Sequence, residues 1–311
     1  MIFPTYFNSK KSLILYGLSE KLLFLRNLYI KKKLPKTLML SGLKGTGKAT
    51  LVNHLMHSIF DENNYDLKNC KLSNKSEFYN QCIGDISANI IYLSGSDEKN
   101  IKIDDIRKLK KKILQTSITN KSRFIIFDDI ELFNNNSLNA LLKIIEEPSE
   151  KNYFILINNN SRSLLETIKS RCLEIKIILD NTKRINVIES LIKYFNLNLK
   201  IEPNILHLTP GNFIKFNYIC DENKMSLENN FLKNLSLILN LYKKKKDVVF
   251  IDLILFLTDY YFRGLRNKNV FTKETLIENK RFVFDNINKY FLYNLNQNTL
   301  INALNTKIDN E

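Results

Sequence analysis

The sequence predicts an α/β protein with a parallel sheet in its first part and an all-helical second part. Three observations lead to this prediction: a short apolar strand feeds a glycine-rich loop and a helix, strands and helices then alternate, and only helical periodicity is found from about Leu227 to the end. Strands that alternate with helices at this spacing form parallel sheets. We therefore divide the chain into an α/β core over 1–178, a small helical lid over 179–222 and a helical C-terminal domain over 223–311.

The elements of the α/β core follow from runs of apolar residues and their punctuation. TLML suits a buried strand before the loop, and KATLVNHLMHSIF repeats its apolar residues at helical spacing. Residues 61–89 are polar and irregular, IIYLSG suggests a strand, and IKIDDIRKLKKKIL places Ile103, Ile106, Leu109 and Ile113 on one helical face. FIIFDD is a continuous apolar run, as expected for a parallel strand covered on both faces. NNNSLNALLKIIEEP predicts a helix that Pro148 stops, followed by strand YFILINN, short helix SLLETIKS and strand LEIKI.

The second part of the chain contains only helical patterns. TKRINVIESLIKYFNL and LTPGNFIKFNYI predict small helices, and NFLKNLSLILNLY and ENKRFVFDNINKYFLYNLNQ predict longer ones. FIDLILFLTDYYF is the most apolar stretch, but Asp252 and Asp259 interrupt it and it is shorter than the ~20 residues of a membrane span. It predicts an amphipathic core helix.

Composition places the chain among soluble globular proteins. Of its 311 residues, 44% are hydrophobic and 25% are charged, which is ordinary for such proteins. The N-terminal MIFPTYFNSKK lacks the basic-then-apolar order of a secretory signal, so we expect a cytoplasmic protein without membrane contact. The cysteines at 70, 82, 172 and 220 form no C-x-x-C pair, which argues against a disulfide framework and against a zinc site.

The net charge of +15 leaves two interpretations open. A basic surface attracts nucleic acid through its phosphates. The lysine clusters Lys31–Lys33, Lys108–Lys112 and Lys243–Lys246 are also explained as solvated faces, since the Lys-, Asn- and Ile-rich composition fits an AT-rich genome.

GLKGTGKAT, from Gly42 to Thr50, is close to the phosphate-binding pattern G-x-x-x-x-G-K-[ST]. Gly42, Gly45 and Gly47 permit the backbone geometry that turns amides toward a phosphate, and Lys48 would reach the outer phosphates. The hydroxyl that would hold Mg²⁺ is missing because position 49 is Ala. Thr50 lies about 100° further round the helix and does not simply replace it.

The strand FIIFDD ends in a second altered element. In phosphate-loop ATPases an Asp at such a strand end supports Mg²⁺. The next residue there is usually Glu, which polarises the attacking water; here the pair is Asp128 and Asp129. We therefore interpret Asp129 as a shortened catalytic base. Two acidic residues that merely end a strand are the plainer alternative.

The stretch NNNSLNALLKIIEEPSEKNYFILINNNSRSLLETIKSRC closely resembles the clamp-loader branch of the AAA+ proteins. Its specific parts are ALLKIIEEP, FILINN and Ser170-Arg171-Cys172, in this order after the loop and the acidic strand. The resemblance covers residues 15–220. It implies an AAA+ P-loop core, a helical lid and an oligomerisation collar at the C-terminus.

This resemblance implies a role for particular residues. Arg171 would project across a subunit interface as a trans-acting arginine finger toward ATP held by a neighbour. A structural ion pair is the plainer alternative for that arginine. The nucleotide site of the chain itself would use the residues Gly42, Gly45, Thr46, Gly47, Lys48, Thr50, Asp128 and Asn158.

Two departures from the family pattern bear on these expectations. The four-cysteine zinc module common among bacterial clamp-loader subunits is absent, since only Cys70 and Cys82 fall in that region, so no zinc is expected. The position of the nucleotide-sensing arginine of motor subunits is Gly211, and the nearest basic residue downstream is Lys215. With Ala49 and Asp129, this third loss favours a subunit that binds ATP weakly or statically and hydrolyses little of it.

The resemblance thus implies a largely non-hydrolysing subunit of the bacterial DNA polymerase III holoenzyme, a nucleotidyltransferase complex of DNA replication. Its partners would be motor subunits of the gamma/tau type and a delta-type subunit in a hetero-pentamer, the sliding clamp and primer–template DNA. An ATP-hydrolysing motor subunit or another DNA-remodelling AAA+ ATPase is one alternative, favoured by the intact glycines and Lys48. A monomeric nucleic-acid-binding protein is another.

Overall fold

A computed structural model describes residues 3–96, 101, 103–114, 121–205, 208–228, 230–267 and 272–308, without the side chains of Tyr6, Lys112, Leu114 and Ile308. The Lys112 side chain of a predicted lysine cluster, Lys102 of the IKIDDIRKL segment, and residues 229, 268–271 and 309–311 of the predicted C-terminal domain therefore lie outside the description. The described chain divides into two compact units. The first holds residues 3–190 and 209–212, and the second holds residues 191–208 and 213–311. The three-part division predicted from the sequence remains a prediction.

Strands and helices alternate in the first unit, as the sequence predicts. The strands are β1 (Thr37–Ser41), β2 (Tyr65–Asp66), β3 (Lys71–Leu72), β4 (Ile90–Ser94), β5 (Arg123–Asp128), β6 (Asn152–Asn158) and β7 (Leu173–Lys176). The helices are α1 (Ser19–Ile30), α2 (Lys48–Phe60), α3 (Glu77–Ile83), α4 (Ile103–Leu114), α5 (Asn135–Ile145) and α6 (Glu166–Lys169), with α7 (Asn181–Phe195) and α8 (Pro210–Glu222) running on into the second unit. Single turns of 3-10 helix lie at Ser9–Lys11 and Ile130–Leu132.

The main sheet has five parallel strands in the order β4-β5-β6-β1-β7. Ser41 of β1 pairs with Asn158 of β6, and Ser94 of β4 pairs with Asp128 of β5. The carboxyl ends of these strands therefore lie along one edge, where α/β sheets bind their ligands. The expected fold class, a parallel α/β core followed by helices, is confirmed.

The sheet is covered on both faces, which explains its continuous apolar strands. Along β5, Phe124 and Ile126 pack with residues of α1 and α2, while Ile125 and Phe127 pack with residues of α4 and α5. The interpretation of residues 61–89 as irregular was wrong. They contain the β2–β3 pair and the short helix α3, which begins because the Ser76 side chain accepts a hydrogen bond from the Tyr79 amide.

The second unit is helical in all its described elements, as expected. It contains α9 (Phe231–Lys245), α10 (Val249–Asn267), α11 (Lys273–Tyr293) and α12 (Gln297–Ile308). Helix α9 packs against α10 and α12, and α11 packs against α10 and α12, so these helices surround a common apolar interior. Leu235, Leu253, Ile254, Ile287 and Leu304 are buried. No helix among the described residues is long and apolar enough to cross a membrane.

Candidate nucleotide site

The loop between β1 and α2 has the backbone geometry that its glycines predict. Gly42, Gly45 and Gly47 have φ values of +148°, +86° and +90°, which side chains rarely allow. A Cβ on Gly42 would lie 2.4 Å from the carbonyl oxygen of Ile177, so only glycine fits there. Helix α2 begins with no side-chain cap, which leaves its first amides and its positive end for an anion. This part of the site fits a phosphate group.

Lys48 is turned into the loop. Its ammonium donates hydrogen bonds to the carbonyl oxygens of Gly42 (2.6 Å) and Leu43 (2.8 Å) and to the hydroxyl of Thr46 (3.4 Å). The residue is only 3% exposed. Burial lowers the pKa of Lys48 to about 8, although the carboxylates of Asp128 and Glu131 oppose this shift. To meet a phosphate, the ammonium would have to give up these bonds.

A distant segment covers the loop from outside. Within the first unit, the Thr209 hydroxyl donates to the Lys44 carbonyl (2.7 Å) and the Gly211 amide donates to the Gly45 carbonyl (2.8 Å). A Cβ on Gly211 would lie 2.8 Å from the Gly45 Cα. The place at which the resemblance expects an arginine in motor subunits is thus a point of backbone contact that accepts only glycine.

The acidic pair lies at the end of β5, and both oxygens of Asp128 are already used. Tyr92 donates its phenol hydrogen to Asp128 Oδ2, and the Asp129 amide donates to Oδ1 (2.9 Å). Loss of solvation raises the pKa of Asp128 to about 6, against the opposing effect of the Tyr92 hydrogen bond. Asp129 has a left-handed backbone (φ +48°) and accepts a hydrogen bond from the side chain of Asn159 (2.6 Å).

Glu131 fixes the neighbouring loop after β6. It is 5% exposed, and its carboxylate accepts hydrogen bonds from the amide of Asn159 (3.1 Å) and from the amide (3.3 Å) and hydroxyl (2.8 Å) of Ser161. Asn158 is buried too, but its side-chain oxygen accepts from the Asn160 amide (3.0 Å). The asparagine that touches the acidic pair is therefore Asn159.

Sequence reasoning passed over Glu131, Asn159 and Tyr92. Glu131 could have been found from its position three residues after Asp128, because a carboxylate so close to the end of a buried strand needs hydrogen-bond partners. Tyr92 had no comparable signal, because its contact depends on the register between two strands.

Ala49 and Thr50 lie where the sequence places them, in the first turn of α2. Ala49 packs in the apolar core between the sheet and the helices α1 and α2, and Thr50 is half-buried. A Mg²⁺ ion would need oxygen ligands from these positions and from Asp128. Ala49 supplies no oxygen and Asp128 is occupied by Tyr92 and Asp129, so the residues present do not fit that ion. Elsewhere in the described chain, no cluster of three or more His, Cys, Asp or Glu side chains is arranged to hold a metal.

Arg171 lies away from these bonds, just after α6. It donates to the carbonyl of Thr167 (2.9 Å) and to the carboxylate of Glu146 (3.3 Å). Its side chain is 35% exposed, and that of Glu146 is 55% exposed. The guanidinium is therefore at the surface of its unit, held by one solvent-exposed carboxylate.

A family model described as "DNA polymerase III, delta subunit" matches residues 18–180, which is more than half of the chain. The chain belongs to this family. The match covers the loop, the acidic strand and Arg171, so the resemblance to clamp-loader proteins is confirmed.

Curated relatives carry names of two kinds. A DNA polymerase III subunit gamma of Buchnera aphidicola subsp. Acyrthosiphon pisum is 26% identical over 79% of this chain and 69% of its own length. A DNA polymerase III subunit delta' of Buchnera aphidicola subsp. Baizongia pistaciae is 30% identical over 51% of this chain and 50% of its own length. The delta' protein of Pseudomonas aeruginosa is 39% identical over 25% of this chain and 24% of its own length. The chain thus spans half or less of these delta' relatives.

Among solved structures, a gamma subunit-related protein of Thermotoga maritima aligns with 92% of this chain and 98% of its own, with 17% identity and a TM-score of 0.47. Such a similarity supports no argument about the function of the chain.

Proposed function

We propose that the chain is a delta prime-like subunit of the DNA polymerase III clamp loader, largely without hydrolysis of its own, that gives Arg171 to ATP bound by a neighbouring motor subunit. The observation that carries the proposal is a contrast. The polar groups of the chain's own site bind one another, whereas the Arg171 guanidinium is at the surface and, among the residues that the structure describes, binds Thr167 and Glu146. An exposed arginine is free to serve a second subunit.

The proposed partners follow from the family. Motor subunits of the gamma/tau type and a delta-type subunit would complete a hetero-pentamer, with residues 223–311 as its collar. The complex would open the sliding clamp on primer–template DNA. The net charge of +15 supports contact with DNA phosphates, and the chain would act in the cytoplasm. Nucleotide would bind weakly or statically to the loop, because Lys48 is already bonded within it.

Reconstitution of the complex with its motor and delta-type subunits tests the role of Arg171. Arg171→Ala should leave assembly unchanged and abolish hydrolysis at the site that this arginine serves, where such a finger is worth ~10³–10⁵ in rate. The ATPase rate of the whole complex should fall by the fraction that this one ATP site contributes to it. Arg107→Ala is a matched control, since Arg107 is also exposed and pairs with Asp104 at 3.1 Å. An assembled Arg171→Ala complex with a normal ATPase rate would refute the role.

The gamma relative, which aligns with 79% of the chain, and the intact Lys48 favour a second candidate, an ATP-hydrolysing motor subunit. The ATPase rate of the purified chain, with and without primed DNA, separates the two. Turnover that disappears in Lys48→Ala would support the motor and contradict the delta prime-like proposal.

A further inference from the structure

The Tyr92 hydroxyl donates a hydrogen bond to Asp128, the carboxylate that supports Mg²⁺ in phosphate-loop ATPases. We propose that the Tyr92 hydroxyl takes the place of a divalent cation at Asp128, so that the chain's own site does not hold Mg²⁺. The inference goes beyond the proposed function and concerns only the chain's own site, whether or not Arg171 serves a neighbour.

The register of the sheet brings the two groups together. Tyr92 of β4 lies opposite Ile126 of β5, and Ser94 lies opposite Asp128. Because alternate residues of a strand share a face, Tyr92, Ile126 and Asp128 all face α2. Asp128 lies two residues beyond Ile126 on this face of the sheet. The Tyr92 ring points in that direction, and its hydroxyl reaches Asp128 Oδ2.

With this hydroxyl, each oxygen of Asp128 accepts one hydrogen bond. The Asp129 amide already binds the other oxygen at 2.9 Å. Mg²⁺ demands six oxygen ligands at about 2.1 Å in octahedral geometry. The Tyr92 hydroxyl points its hydrogen at Asp128 Oδ2. A cation at that oxygen would need the same lone pair, so the hydrogen bond and the metal ion compete for it. Position 49, which would supply a ligand hydroxyl, is Ala.

The ring is also held from its far side. The Lys10 ammonium lies 4.5 Å from the centre of the Tyr92 ring, an attractive cation–π geometry, and pairs with Asp85. The backbone carbonyl of Lys10 accepts a hydrogen bond from Asn53 of α2 (3.4 Å). Tyr92 is thus held between Lys10 of the N-terminal segment and Asp128 of β5.

A cavity of about 30 Å³ lies beside this arrangement, with Ala49, Tyr92 and Ile126 among its walls. It leaves room for the two additional heavy atoms of threonine at position 49. The missing ligand can therefore be restored by substitution without rebuilding the core.

The experiment measures Mn²⁺ binding to the purified full chain by electron paramagnetic resonance, and thermal unfolding in Mg²⁺ or EDTA. Wild type should bind no Mn²⁺ at this site, and its Tm should be the same with and without Mg²⁺. Tyr92→Phe with Ala49→Thr should bind Mn²⁺ at this site and gain about 3 °C in Tm from millimolar Mg²⁺, because a ligand of the folded state stabilises it.

Tyr29→Phe is the matched control, because Tyr29 also packs against the same sheet and donates to Ser122 (3.2 Å) away from the site. It should respond to neither ion. Tyr92→Phe alone should already show a Mg²⁺-dependent rise in Tm, which keeps the test decisive if the double variant folds poorly.

Mn²⁺ binding by wild type as tight as by the double variant would overturn the inference, as would variants that gain no response to either ion. Neither result depends on partner subunits. The proposed function, tested by Arg171 in the reconstituted complex, therefore stands or fails separately.

Discussion

The loop around Lys48 and the arginine at position 171 belong to the same compact unit, yet their charges are used in opposite ways. Lys48 is buried, and its bonds run to its own loop, whereas Arg171 is exposed and bound to an exposed Glu146. Buried polar groups stabilise a fold only when all of them are paired, while exposed ion pairs contribute little. The bonds of the first region therefore stabilise the fold, whereas the exposed pair of the second contributes little to it.

The largest effect that would test this contrast is the loss of Glu131. Glu131→Ala removes a buried carboxylate that accepts hydrogen bonds from the Asn159 amide and from the amide and hydroxyl of Ser161, so the free energy of unfolding should fall by about 4 kcal/mol. Urea unfolding measures it. Glu146→Ala is the counterpart in the second region and should cost ~0–1 kcal/mol, because it breaks only an exposed pair. Equal losses in the two variants would remove the distinction between the regions.

A smaller effect should follow from adding a side chain where the loop contacts residues 209–212. A Cβ on Gly45 would lie 2.5 Å from the Thr209 hydroxyl and 2.9 Å from the Asn212 amide, at a φ of +86°. We expect Gly45→Ala to cost about 3 kcal/mol, again by urea unfolding. Gly264→Ala is the control, since its Cβ would meet nothing within 4 Å in α10. It should gain ~0.5–1 kcal/mol from helix propensity.

If Gly45→Ala proves as stable as wild type, residues 209–212 are loosely held against the loop. Nucleotide would then reach the loop without displacing residues 209–212, and the site would be less closed than its bonds indicate.

The smallest effect concerns pH. The pKa of Asp128 is raised from its ordinary 3.8 to about 6, so the folded chain binds more protons than the unfolded chain between these values. This contribution to stability is fully present below about pH 4 and is lost as the pH rises through about 6. Between these limits the loss should be about 2 kcal/mol, and Asp128→Asn should lack it. Urea unfolding of both proteins at several pH values measures the difference, and parallel pH profiles would show that Asp128 does not titrate this way.

The sequence predicted those parts of the molecule that depend on neighbours in the chain. The strand, loop and helix around Gly42, the buried strand before Asp128 and the helix that ends before Pro148 are all found as expected. Each follows from apolar periodicity, glycine geometry or a proline stop, which act locally.

What the sequence could not show depends on distant pairings. The bond from Tyr92 to Asp128 spans 36 positions and exists only because β4 and β5 pair in one register. Thr209 reaches Lys44 from 165 positions away. The short helix α3 was missed because its polar sequence carries little periodicity, and the Ser76 cap alone was too weak a signal.

If the loop takes a nucleotide, the bonds between Lys48 and its loop would also affect how fast the nucleotide is captured. A phosphate would then enter only those molecules in which the ammonium has turned outward. If about one molecule in a hundred is competent, the apparent dissociation constant is ~100-fold above the intrinsic one. At high nucleotide concentration the observed binding rate then stops rising and equals the rate at which the loop opens. In such a chain, the timing of nucleotide capture is governed by a lysine side chain leaving two carbonyl groups.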